Sequence, residues 1–306
     1  MRCTTRKRWS NPLALELVAG ACLAALWAGS ADARAVDERR PAAADARISV
    51  KNVNGTITVE GWSKKEVQVT GTIGEDVEEL VIEGSESRLR IEVELPHRGH
   101  NSDTDADLQI KVPTGAEVQV DVVNCPIDVT KVDGTVELES VNGNVTVTGE
   151  PASVTASTVN GRISLTVSSK QVEAHTVNGR ILLDGVSGDV SAATVGGSIE
   201  VSGGPFERGE FQTVSGDVDF TGALQGSGSF DFQAHSGDVI LTLPANLSAE
   251  FDISTFSGDI DNAFGPSRPE RKSKYGPGKE LYFQTGGGKA RVSINTFSGD
   301  VRLIKK

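Results

Sequence analysis

A small polar residue followed by Gly, with Ile or Val two positions after the Gly, recurs ten times along the 306 residues. It reads Asn54-Gly55-Thr56-Ile57, Asn142-Gly143-Asn144-Val145, Asn160-Gly161-Arg162-Ile163 and Asn178-Gly179-Arg180-Ile181. Later it becomes Ser215-Gly216-Asp217-Val218, Ser236-Gly237-Asp238-Val239, Ser257-Gly258-Asp259-Ile260 and Ser298-Gly299-Asp300-Val301. Asn124-Cys125-Pro126-Ile127 and Gly196-Gly197-Ser198-Ile199 are degenerate copies in the same register. From position 125 the second residue returns after 18, 18, 18, 18, 19, 21, 21 and 41 residues. A period near twenty without helical patterning predicts an all-β, single-stranded β-solenoid, one coil per repeat.

Aligned on the turn, the repeats expose the core. Two positions after the Gly, every copy carries Ile or Val, from Ile57 to Val301. Four residues before the Asn or Ser stand Leu138, Ala156, Ala174, Ala192, Phe211, Phe232, Ile253 and Ile294. Alternate residues of a strand share a face, so such columns should stack as aliphatic ladders inside the coil. Where the period lengthens from 18 to 21, Phe211, Phe220, Phe230, Phe232, Phe251, Phe256 and Phe297 enter. They are expected inside, filling a solenoid that widens towards its C-terminal end. Gly is expected at each turn (Gly55, Gly143, Gly161, Gly179, Gly197, Gly216, Gly237, Gly258, Gly299) to supply the positive φ of a tight corner.

The chain divides by composition. Arg2, Arg6, Lys7 and Arg8 precede an apolar run from Leu13 to Ala28, and Ala31-Asp32-Ala33 offers a cleavage site. Residues 1–33 therefore read as a signal peptide, with a retained anchor the alternative. A lipoprotein reading at Cys22 fits less well, because Ala19 is a poor match and the apolar run continues past the cysteine. Residues 34–46 read as a flexible mature N-terminus. Residues 47–117 hold less regular strands, expected as capping coils. The regular array is expected over 118–306, with a Pro/Gly-rich basic insertion at 262–290 and Lys305-Lys306 blunting a terminal edge strand. No second apolar segment is present, so no membrane span is expected in the mature chain. The formal charge of −12 becomes −14 without residues 1–33, which carry four Lys/Arg against two acids. Such a chain is repelled by nucleic acid, which is excluded as a partner. Of Cys3, Cys22 and Cys125, only Cys125 survives processing, at a turn Gly position, so no internal disulfide is expected.

Several stretches together resemble a known family: the Asn-Gly-Thr-Ile turn with Gly61-Trp62 after it, Leu108 to Gly115 ending Val-Pro-Thr-Gly, and the repeated Thr-Val-Asn-Gly. Leu241-Thr242-Leu243-Pro244 and the terminal Thr-Phe-Ser-Gly-Asp-Val fit as well. They are similar to the bacterial putative-adhesin domains, β-strand repeat proteins of unassigned function, over residues 47–304. The resemblance implies a right-handed β-helix-like solenoid in an exported, periplasmic or envelope-associated protein. It brings no catalytic residues.

The chemistry is sparse. Asp217, Asp238, Asp259 and Asp300 follow Ser-Gly and could stack into a Ca²⁺ ladder; as turn residues they need no ion. Thr56, Asn144, Arg162, Arg180 and Ser198 hold the equivalent earlier positions, which argues against one continuous ion site. His97, His100, Asp103, Asp105 and Asp107 could ligate a metal, but in a polar loop they read better as solvated surface. Arg268, Arg271, Lys272, Lys274 and Lys279 form a possible anion-binding loop or a solvated hairpin. No Ser/His/Asp or phosphate-loop pattern is present, and no cofactor is implied. The expectation is a non-catalytic, adhesin-like binding or scaffolding protein. Alternatives are a carbohydrate-binding or polysaccharide-cleaving β-helix and an envelope-stress accessory acting through a protein partner. Protein, glycan and self-association all remain open as partner classes.

Overall fold

The computed structural model describes residues 33–96, 103–265, 270–271 and 278–306. The described residues contain 23 strands joined into one hydrogen-bonded sheet, without a helix. Each regular coil is two strands meeting at the Asn/Ser-Gly corner, as in Ser153–Asn160 and Ile163–Val167. Successive coils pair parallel and in register: Val145 lies beside Ile163 and Ile163 beside Ile181, while Asn142, Asn160 and Asn178 align at the corner. This is a β-solenoid. The column after the turn, Ile57 through Val301, is buried in every copy.

The coils lengthen as the sequence period predicts, into strands Ile181–Gly196, Ile199–Ser215 and Val218–Ser236. Their interior holds a phenylalanine cluster. Phe206 and Phe220 lie 4.9 Å apart by ring centroid, Phe211 and Phe232 5.0 Å. Gly209 replaces the aliphatic residue of its column because a Cβ there would lie 2.7 Å from the Phe211 ring. Five of the seven expected core aromatics are buried. Phe256 and Phe297 are not: both are 49% exposed. Each stands directly before the corner Ser, after the buried Thr255 or Thr296, and so points outward.

Both ends depart from the expected layout. Arg47–Trp62 is a regular coil, not an irregular cap: Ile57 stacks on Ile127 and Asn54 on Asn124. Its other edge pairs with Arg88–Glu94 and Ala106–Pro113, so it lies inside the stack. Antiparallel strands form the actual cap, with Glu66–Ile73 on Ala106–Pro113 and Glu79–Ser85 on Arg88–Glu94. Residues 34–41, expected to be flexible, form strand Arg34–Pro41, paired antiparallel with Glu66–Ile73 through all eight positions. Their charges resemble a solvated tail, but charge is also what protects an outer strand from unwanted pairing.

At the opposite end the stacking order departs from chain order. Ala290–Ser298 sits between Val218–Ser236 and Ala249–Ser257. Val301–Lys305 likewise sits between Val239–Leu243 and Ile260–Asn262, so it is no terminal edge. The preceding insertion is partly structural. Lys279–Thr285 pairs antiparallel with Ala249–Ser257 and buries Leu281 and Phe283, with Phe283 stacked 4.7 Å from Phe251.

Candidate functional site

The corner Thr-Val-Asn-Gly assigns a separate task to each residue. The Thr points inward and its hydroxyl donates across to the neighbouring coil. Thr158 donates to the Gly143 carbonyl at 3.2 Å, Thr176 to Gly161 at 3.3 Å, Thr194 to Gly179 at 3.2 Å and Thr213 to Gly197 at 3.0 Å. Thr255 to Gly299 and Thr296 to Gly237 continue the pattern through the reordered end, at 3.1 and 3.4 Å. The Asn amides form a ladder: Asn142 donates to Asn124 at 2.8 Å, Asn160 to Asn142 at 2.9 Å and Asn178 to Asn160 at 3.0 Å. The Thr bonds satisfy hydroxyls and carbonyls that the tight stacking strips of water, while the Asn ladder is exposed and ties neighbouring corners together at the surface.

The Gly has a different duty from the one its sequence position suggests. Among the turn glycines, Gly55, Gly216 and Gly237 have the expected positive φ, at 109°, 146° and 156°, yet Gly143, Gly161, Gly179, Gly197, Gly258 and Gly299 lie outside the left-handed region. Their constraint is proximity. A Cβ on Gly179 would lie 1.9 Å from the carbonyl oxygen of Gly161, and the same close pass recurs along the column. Glycine lets neighbouring corners close up.

The Val points outward. Val123, Val141, Val159, Val177, Val195 and Val214 align, followed in stacking order by His235, Phe297 and Phe256. The Val and Phe members are each 38–49% exposed. His235 and Phe297 stack at 4.9 Å and 9°, Phe297 and Phe256 at 4.8 Å and 8°. Ring faces cover one another and present their edges to solvent. Beside this apolar ladder runs a column that is polar except at Ala193: Asp121, Glu139, Ser157, His175, Ala193, Gln212, Gln233 and Asn295. Between the two lies a groove of about 1060 Å³. No Lys or Arg lines it among the described residues.

The residues singled out by sequence occupy other places. The aspartates do stack, in the order 217, 238, 300, 259, but their carboxylates serve the backbone. Asp217 accepts from the Asp238 N–H at 2.9 Å, Asp238 from the Asp300 N–H at 2.8 Å, and Asp300 from the Asp259 N–H at 2.9 Å. Lys279 donates to Asp259, and Arg302 lies 3.5 Å from Asp238 and 3.7 Å from Asp300. This geometry favours the turn-residue reading over an ion ladder. Among the described residues no group of three or more His, Cys, Asp or Glu is placed to hold a metal.

Of the basic insertion, Arg268, Lys272 and Lys274 lie outside the described residues, as do His97 and His100 of the polar loop. Arg271 falls in the short strand Glu270–Arg271, and Lys279 is committed to Asp259. Asp103 and Asp105 accept backbone bonds from Asp76 and Gly74 at 3.0 and 2.8 Å. Cys125 is buried, and desolvation pushes its thiol up to about 12, which makes it a poor nucleophile.

The outward ladder is the feature that sequence reasoning missed. Its signal was present: a Val at constant offset, on the parity that the strand alternation assigns to solvent.

No curated protein matches the chain. Among solved structures it is similar to a putative adhesin from Bacteroides fragilis NCTC 9343, with 14% identity and a TM-score of 0.44, covering 90% of this chain and 99% of that one. A putative adhesin from Parabacteroides distasonis ATCC 8503 is similar at 12% identity and TM-score 0.44, covering 90% and 98%. A putative lipid binding protein from the same strain is similar at 13% identity and TM-score 0.39, covering 89% and 97%. These scores assign no role to any residue. The family model described as Toastrack DUF4097, in contrast, matches residues 42–304, and the chain belongs to that family.

Proposed function

We propose that the protein is an exported, non-catalytic, adhesin-like binding protein of the cell envelope, and that the Val/Phe ladder with its groove is its binding face. One observation carries this reading: a column of eight exposed Val and Phe side chains and one His runs unbroken across nine stacked coils, rimmed by polar groups. Scattered exposed apolar residues are ordinary, whereas a contiguous stripe rimmed by polar groups marks an interaction surface. The stripe is not needed by the core, because the buried columns behind it are already complete. The basic, apolar, Ala-x-Ala N-terminus supports export. A glycan is the weaker partner class: sugar rings favour open aromatic faces, and in this stack Phe297 has both faces covered while Phe256 and His235 each have one covered by it.

The test is to produce the full chain in cells, fractionate them, and measure retention of the protein on isolated envelopes. Parent protein is expected outside the cytoplasm and retained, and a Val159→Lys/Val177→Lys variant exported but released. A cytoplasmic chain, or equal retention of both, would refute the proposal.

A further inference from the structure

We propose that the occupant of the ladder is a basic amphipathic helix of a partner protein, laid along the stack. This deepens the reading of the ladder as the binding face and rests on it. Two properties of the groove select that occupant.

The first is spacing. Coils recur every ~4.8 Å, so the ladder offers one apolar side chain at that interval. A helix returns a side chain to the same stripe once per turn, about every 5.4 Å. The two drift by about 0.6 Å per coil, staying within half a step for about four coils and regaining register after about eight, where seven helical turns span eight ladder steps. An extended peptide presents same-face residues about 6.7 Å apart and falls out of step within two. From Val123 to Phe256 the ladder takes eight steps. That is roughly 38 Å, or a helix of about 25 residues.

The second is charge. Asp121 and Glu139 line the groove, and one column further out Glu137, Glu173, Glu210 and Asp231 face the same side of the sheet. A helix whose apolar stripe rests on the valines carries its flanking residues over these carboxylates. Lysine or arginine there gains attraction, and glutamate or aspartate is repelled. A second copy of this chain would bring acidic columns against acidic columns. An anionic lipid surface meets the same repulsion.

The experiment uses a synthetic 25-residue peptide with Leu at helical i, i+3, i+4 and i+7 spacing and Lys on the remaining face. Its controls are an isomer of the same composition with the Leu scattered and a version with Glu for every Lys. Affinities are measured for the parent full chain, for Val159→Lys/Val177→Lys and for Val195→Lys, after their melting curves confirm folding. The striped basic peptide is expected to bind the parent at least about tenfold more tightly than either control, and to lose about tenfold or more on both ladder variants. Equal binding of the scattered isomer would mean charge alone, and would overturn the proposal. Equal binding of the acidic peptide, or undiminished binding by both variants, would do the same.

Two further results would replace the occupant. One is a parent dimer in sedimentation that the ladder variants dissolve. The other is parent binding to phosphatidylcholine vesicles that the variants abolish. If the variants release the protein from envelopes yet no peptide binds, the occupant is wrong and the face stands. If neither retention nor peptide binding changes, both fall.

Discussion

A Cβ placed on Gly161 would lie 2.0 Å from the carbonyl oxygen of Gly143, one coil away. Neither atom can retreat cheaply, because Gly143 O also accepts the Thr158 hydroxyl and both backbones are held in the parallel ladder. Gly161→Ala is therefore expected to cost about 2–3 kcal/mol, from overpacking against backbone. Gly226, whose nearest neighbour would be a Lys289 side-chain carbon at 3.5 Å, is the comparison. Gly226→Ala should stay within about 0.5 kcal/mol of the parent. Urea unfolding of both variants measures the difference.

The buried Thr column makes a separate contribution. Thr213→Val removes a hydroxyl that donates to Gly197 O at 3.0 Å and keeps the volume. The expected loss is about 1–2 kcal/mol, the cost of a buried carbonyl deprived of its donor. Thr213→Ser should lose less, since Ser140 occupies the same column naturally and donates to the Cys125 carbonyl at 3.2 Å. If Val proves as stable as Thr in thermal unfolding, the column stabilises through packing alone.

Two aspartates give pH dependences of opposite sign. The Arg208 guanidinium, through its hydrogen bond, holds Asp189 below the ordinary carboxylate range. Its stabilisation is present above the unfolded carboxylate pKa and disappears as pH falls through the folded one. Arg208→Ala should thus lower stability at pH 7, only slightly because the pair is exposed, and make no difference in strong acid. Asp219 is displaced upward by desolvation, then by Asp217 and Glu200. It opposes folding at neutral pH; the penalty shrinks as pH falls through its raised folded pKa and is gone below the unfolded carboxylate pKa. Asp219→Asn should raise the melting temperature at pH 7, with the gain vanishing in acid. Melting curves between about pH 1.5 and 7 extend below the ordinary carboxylate range and read both signs.

The reordered C-terminal coils can be checked covalently. Gln233 and Asn295 are register partners on adjacent strands, so their Cα atoms lie about 4.8 Å apart, within reach of a disulfide. Gln233 and Ser254 are separated by the intervening coil, at about 9.6 Å. With Cys3 and Cys22 replaced by Ser, the pair Gln233→Cys/Asn295→Cys should oxidise readily and Gln233→Cys/Ser254→Cys should not. The reverse outcome would restore simple chain order.

Most of the coil interior could be read directly from spacing. The Ile/Val column after the Gly and the Leu/Ala/Phe column before the turn are buried where alternation placed them. Phe256 and Phe297 have the residue type of a core, but the parity of their position sends them outward, as it does the valines that share their column. Coil order at the two ends was illegible for another reason. Every repeat carries the same corner, so periodicity cannot say which corner is the neighbour of Ser236. Arg34–Pro41 could not be told from a tail, because a charged edge strand and a solvated segment have the same composition.

On the proposed reading two adjacent columns of one corner divide the work: threonines hold the coils together and valines face a partner. Envelope retention of Val159→Lys/Val177→Lys beside Thr158→Val/Thr176→Val, measured where both are folded, tests it most directly. The account predicts that the valine variant melts within a few degrees of the parent and loses about tenfold or more in retention. The threonine variant should melt earlier and bind like the parent. A valine variant retained as well as the parent would contradict the account.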